Sequence, residues 1–112
     1  MKRKLFVIVC LFLALASFVR GQNSGSWFTA REVGPKIWQI SDHGADNIYL
    51  IEGKKKAMLI DNGLGSADLV SFIKTLNTKP LIVVITHGHP DHAGSNYQFE
   101  EVYIHPADAE AA

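Results

Sequence analysis

The chain has 112 residues, 47% of them hydrophobic, and its 11 basic side chains balance 11 acidic ones. The neutral total hides a split: without residues 1–21, seven basic and eleven acidic side chains remain over 91 residues, a net charge of −4. That excludes a broad basic face for nucleic acid, and Cys10, the only cysteine, falls in the front segment, so the remainder has neither a disulfide nor a thiolate metal ligand.

The front reads as a leader. Met1-Lys2-Arg3-Lys4 is basic, Leu5 to Val19 is an uncharged apolar run of 15 residues, and Val19-Arg20-Gly21 places small residues at the minus-three and minus-one positions of a cut before Gln22. This is the three-part pattern of a secretory signal peptide over residues 1–21, and the run is shorter than the about 20 residues of a membrane span. Contact with the membrane is therefore expected only through the leader, and the product is expected to be secreted or periplasmic.

After a polar junction, Trp27 to Val33 and Ile37 to Ile40 read as short strands around Gly34-Pro35. Asp42 to Asp46 is a turn cluster, Asn47 to Glu52 a strand, Gly53 with Lys54-Lys55-Lys56 a hairpin turn, and Ala57 to Ile60 the next strand. Short turns between neighbouring strands predict an antiparallel meander. Leu69, Phe72, Ile73 and Leu76 then follow the i, i+3, i+4, i+7 spacing of one helix face, with Ser66 able to cap the start, Asp68 favouring the first turn, and Asn77 and Pro80 ending the helix. Leu81 to Ile85 is apolar throughout, as expected of a strand covered on both faces. The fold class is thus α/β (α+β), a meander followed by a βαβ unit whose two strands run parallel. Gly94 to Phe99 suggests a short helix, Val102-Tyr103-Ile104 a further strand, and His105-Pro106 the opening of another helix.

Chemistry concentrates in Thr86-His87-Gly88-His89-Pro90-Asp91-His92-Ala93-Gly94. Four of these residues, His87, His89, Asp91 and His92, are of types that bind transition metals. Residues two apart on a helix point to nearly opposite sides, and Gly88 and Pro90 disfavour a helix, so the segment is expected to be a curled loop that turns its ligands to one side. Imidazole with carboxylate suits zinc, with iron or manganese as further options. Parallel strands of a βαβ unit share a carboxyl edge where ligands gather. Asp61, after Ile60, and the His87 loop, after Ile85, both belong to that edge. Asp61 could therefore orient a ligand imidazole or pin the loop backbone, or it could be a turn residue before Asn62-Gly63. His105 is expected at a strand end before Pro106, and His43 at the surface or at a substrate edge.

Together these residues resemble the metallo-β-lactamase fold superfamily. Thr86 to Gly94 is similar to its signature loop, Asn47 to Gly53 to the strand before its first motif, and Leu59-Ile60-Asp61-Asn62-Gly63 to that motif, whose Asp supports the ligand loop. The resemblance covers most of residues 33–110. It implies that residues 22–112 are the N-terminal half of a four-layer αββα sandwich of about 200 residues or more. It also implies that His87 and His89 bind a first Zn2+ ion, and Asp91 and His92 a second. Later residues of the family, a third His, a bridging Asp and a last His, complete the two sites. The implied activity is metal-dependent hydrolysis of a small molecule. Zinc, which lowers the pKa of bound water to about 7, would supply a hydroxide to attack the substrate, and Asp91 would be the catalytic carboxylate that holds its proton. β-Lactams, esters, lactones, thioesters and phosphoesters are all compatible with the loop. His92 fits the β-lactamases that keep this His and glyoxalase II-like hydrolases alike. The competing expectation is a non-catalytic metal-binding module, or a fragment inactive without its remaining ligands. Oligomeric state is left open.

Overall fold

The computed structural model describes residues 26–112. The expected leader over residues 1–21 lies outside the described residues. Five strands form one sheet in chain order: β1 (Phe28–Gly34), β2 (Ile37–Asp42), β3 (Asp46–Glu52), β4 (Ala57–Ile60) and β5 (Leu81–Val84). The first four are antiparallel neighbours, and β5 runs parallel to β4. A meander followed by a parallel crossover is the expected order. The crossover carries helix α1 (Leu69–Lys74).

Period-two alternation sets the faces. Ile40, Ile48, Leu50, Leu59 and Val83 share one face, where Leu50 sits opposite Leu59, and Leu59 opposite Val83. Leu69 and Ile73 of α1 join this buried core, and the Phe72 ring lies 5.4 Å from that of Phe28 in β1. The other face carries a second apolar row, in which Ile37, Ile51, Met58 and Ile82 are successive partners. There Ile82 and Val84 stay half-buried, which corrects the expectation that β5 is covered on both faces. Among the described residues the buried core lies on one side of the sheet, so the continuous apolar run of β5 meets it through alternate residues only.

The helix differs from expectation in its start and length. Its N-cap is Asp68, not Ser66, with the carboxylate accepting from the Ser71 backbone N–H at 2.9 Å and from its hydroxyl at 2.6 Å. The Gln98 side-chain oxygen accepts from the amides of Leu69 (2.9 Å) and Val70 (3.3 Å), so two open N–H groups of the first turn find an acceptor 28 and 29 residues away in sequence. Regular α geometry ends at Lys74, and the Leu76 and Asn77 amides both return to the Ile73 carbonyl.

The later elements are shorter than predicted. Val102–Ile104 contributes one parallel bridge, Val84 to Tyr103, because only Tyr103 pairs its amide (to Val83 O, 2.8 Å) and carbonyl (from Ile85 N, 2.8 Å) with β5. The predicted helices at Gly94–Phe99 and after His105 are single 3-10 turns, Asn96–Gln98 and Pro106–Asp108. Among the described residues no helix is long and apolar enough to cross a membrane.

The two faces of β4 separate burial from mere apolarity. Leu59 is fully buried and Met58 is 37% exposed. Leu59→Ala should lower the unfolding free energy by about 2–5 kcal/mol, and Met58→Ala by less than about 1 kcal/mol. Urea denaturation of the two variants checks this; equal losses would contradict the assignment of faces.

Candidate metal centre

β4 and β5 end side by side, and the chain leaves both at the same edge. Asp61 follows β4 directly; its amide still donates to the Val84 carbonyl at 2.9 Å, so it closes the parallel ladder. Its backbone is left-handed, at φ 63°. Such a conformation is uncommon for a residue with a Cβ, though Asp tolerates it better than most. The turn aims the buried carboxylate across the end of β5 rather than along its own strand.

That carboxylate has several donors. Oδ1 accepts from the Thr86 amide (2.7 Å) and hydroxyl (2.9 Å), while Oδ2 lies 2.9 Å from the same hydroxyl and 2.8 Å from His92 Nδ1. Thr86 Oγ1 is also 2.9 Å from His87 Nδ1. An ionised carboxylate only accepts. The Thr86 hydroxyl hydrogen therefore belongs to Asp61, and its oxygen accepts Nδ1–H of His87. By the same logic His92 carries its proton on Nδ1. When the rings are neutral, Asp61 thus favours the Nδ1–H tautomer in both and leaves each Nε2 bare, which is the form a metal requires. The sequence reading left open whether Asp61 orients an imidazole, pins the loop or ends a turn; its contacts cover all three.

The loop is not wholly irregular. Pro90–Ala93 forms one helical turn, α2, whose His92 and Ala93 amides return to the His89 carbonyl at 3.0 and 3.1 Å. This corrects the expectation of a helix-free loop: Pro90 occupies the first helical position, where its missing N–H costs nothing and its fixed φ favours the turn. His87 and His89 precede that turn, and His89 is extended, so they can approach each other. The His87 ring centroid lies 4.6 Å from that of His89 and 4.1 Å from that of His92. Asp91 Oδ2 is 3.4 Å from His92 Nε2, and the Asp91 side chain is 48% exposed.

The four predicted ligands are therefore drawn together as a contiguous group. They do not make a finished site. Among the described residues no three His, Cys, Asp or Glu side chains are placed to hold one ion between them. The donor chemistry fits divalent cations all the same, since neutral imidazole nitrogens and carboxylate oxygen are zinc donors. The other histidines stand apart from these donor contacts. His43 stacks on Trp27 at a centroid distance of 4.2 Å, and His105 Nδ1 accepts from the Ala107 amide at 3.1 Å, capping the last 3-10 turn.

The segment after Asp61 clamps the loop from beneath. The Asn62 amide donates to the His92 carbonyl (2.9 Å), and that of Gly94 to the Gly63 carbonyl (2.8 Å). The buried Asn62 side chain accepts from the Ser95 amide (2.9 Å) and donates to Asn96 Oδ1 (2.7 Å). Gly94 lies so near Gly63 and Leu64 that a Cβ there would overlap their backbone.

Sequence reasoning placed Asp46 within a turn. It opens β3 instead, and its Oδ1 is 3.8 Å from His92 Nδ1. The signal was available: Ile48 and Leu50 face inward, and two residues back along the same face is Asp46. Burial raises its pKa, against the lowering effect of the Asn47 amide and of His92, while Asp91 and Asp61 add to the rise. For His92, burial acts to lower the pKa, but the Asp61 hydrogen bond and the charges of Asp46, Asp61 and Asp91 together lift it above its ordinary value.

Residues 42–112 match the family model described as the metallo-beta-lactamase superfamily. The human acyl-coenzyme A thioesterase MBLAC2 is 31% identical over 102 residues, covering 76% of this chain and 37% of the thioesterase. The exodeoxyribonuclease WalJ of Streptococcus pneumoniae is 33% identical over 64 residues, covering 54% of this chain and 24% of that protein. In fold, the described residues are similar to the DIM-1 metallo-β-lactamase, with a TM-score of 0.62 and 18% identity over 76% of this chain and 46% of that one. The chain thus spans little more than a third of the length of the thioesterase it matches.

Asp61→Asn would turn an amide N–H toward Nδ1–H of His92 or toward the Thr86 donors, leaving a donor unpaired either way. Zinc affinity, read by chelator competition, should fall about 10–100-fold. Unchanged affinity would show that Asp61 serves only the turn.

Proposed function

Because the chain belongs to the metallo-β-lactamase superfamily, we propose that it supplies half of the metal centre of an exported zinc-dependent hydrolase acting on a small acyl substrate, a thioester before a β-lactam, ester or lactone. One observation carries the reading: a single buried carboxylate, Asp61, favours one tautomer in two neighbouring imidazoles, which leaves the Nε2 of both free of a proton when the rings are neutral, that of His92 3.4 Å from Asp91 Oδ2. The thioester preference rests on the likeness to MBLAC2, an acyl-coenzyme A thioesterase. Iron or manganese could replace zinc at such donors.

In this reading His87 and His89 hold one cation, and Asp91 and His92 the other. Bound cations would supply an acidified water and positive charge for the oxygen that becomes negative during attack. The chain's own residues do the positioning. Asp61 keeps the His92 Nδ1 proton in place, Thr86 does the same for His87, and the half-exposed Asp91 carboxylate would hold the proton of the attacking hydroxide. A closed structural zinc takes four protein donors, so the alternative of a self-sufficient metal-binding module needs two donors beyond either pair, His87 with His89 or Asp91 with His92. The acidic balance after residue 21 favours a small-molecule substrate over nucleic acid.

The full-length protein loaded with Zn2+ should hydrolyse an acyl-coenzyme A thioester. Chelation should abolish turnover and added Zn2+ restore it, and His87→Ala should cut kcat/KM by more than about 100-fold, beyond the usual cost of losing a residue that only supports a ligand. Turnover of none of the acyl substrates with zinc present would refute the assignment. N-terminal sequencing of protein recovered outside the cytoplasm should begin at Gln22; a start at Met1 would refute the leader.

A further inference from the structure

We propose that Asp46 is a positioning residue for His92, a second carboxylate that flanks the Nδ1 edge of the imidazole beside Asp61 and strengthens the hold of Nε2 on a divalent cation. The inference rests on the metal-centre reading above and adds a residue outside the His87–His92 loop and the Asp61 turn.

Three observations carry it. The first is geometric: α2 packs against the start of β3, and Asp46 Oδ1 comes to 3.8 Å from His92 Nδ1 while Asp61 Oδ2 holds the same nitrogen at 2.8 Å. The second is burial, since the Asp46 side chain is only 5% exposed. The third is an unmet need. Oδ1 accepts from the Asn47 amide at 2.7 Å, but the buried Oδ2 has no hydrogen-bond partner.

A buried carboxylate oxygen without a partner is costly to the fold. Nothing in the β2–β3 turn requires it: that turn closes through the Ala45 amide to the Asp42 carbonyl (2.9 Å) and the Gly44 amide to Ser41 Oγ (3.1 Å). What Asp46 has beside it is the proton-bearing edge of a ligand imidazole. Negative charge there favours electron donation from Nε2, as carboxylates behind metal-bound histidines do. A cation on Nε2 in turn places positive charge near the carboxylate and offsets its burial. Cost without metal and gain with metal are the mark of a residue kept for the site rather than for the fold.

The test uses the full-length protein with Zn2+ alone as the probe, measured by competition with a chromogenic chelator, alongside thermal unfolding of the metal-free form. Asp46→Asn should weaken the more sensitive of the bound ions by about 10-fold, and the metal-free melting temperature should stay level or rise. Asp46→Ser keeps an acceptor for the Asn47 amide and should give the same pair of results, so a folding defect peculiar to the amide would not obscure the outcome. With Co2+ in place of Zn2+, the visible ligand-field bands of one site should shift in both variants. Zinc affinity within twofold of the parent would overturn the role of Asp46 while leaving the metal centre intact. A parallel fall in metal-free stability and affinity in both variants would overturn it in favour of a structural role. Failure of the unaltered protein to bind Zn2+ would overturn the metal centre and, with it, this inference.

Discussion

The arrangement depends on one buried carboxylate at the tip of a strand. Asp61 leaves β4 with a left-handed backbone, so its side chain crosses to the end of β5. There it takes the Thr86 amide, the Thr86 hydroxyl and the His92 ring in a single grip. Were the backbone of Asp61 extended, the carboxylate would continue the alternation of β4 and miss the loop. The parallel pairing of β4 and β5 is what puts the two strand ends side by side. Topology thus supplies proximity, and one unusual dihedral angle supplies aim.

Around that grip the packing is close. Asn62 ties its own segment to Ser95 and Asn96, while the lack of a side chain at Gly94 lets α2 settle on the Gly63 and Leu64 backbone. On the other side of the loop, Gly88 lies where a Cβ would meet the Asp108 carbonyl. The loop is held by backbone contacts and short polar side chains rather than by a hydrophobic core of its own. Such support suits a site whose histidines must keep fixed directions and remain open to solvent on one side.

Much of this was legible in the residues. The meander and the crossover follow from alternation and helical spacing, and the shared carboxyl edge of β4 and β5 pointed to Asp61 without its contacts being known. What escaped has specific causes. Ser66 looked like a cap because Ser before an apolar helix face is a good one; Asp68 takes that place because the helix begins at Leu69, two residues later than a Ser66 cap would start it. Pro90 read as a breaker, yet at the first helical position it starts a turn. Asp46 was hidden inside a polar turn cluster, although the inward phase of Ile48 and Leu50 already assigned it to the buried face. Thr86 was passed over because a hydroxyl announces nothing until its neighbours are known.

The tautomers of His87 and His92 bear most directly on the account. Long-range nitrogen–proton correlation spectra of the metal-free protein, recorded where both imidazoles are neutral, distinguish a proton on Nδ1 from one on Nε2. Relay through Asp61 and Thr86 predicts the Nδ1–H form for both rings, although Nε2–H is the usual form in water. Nε2–H signals from either ring would mean that Asp61 does not set its direction, and the account of the site would fail there.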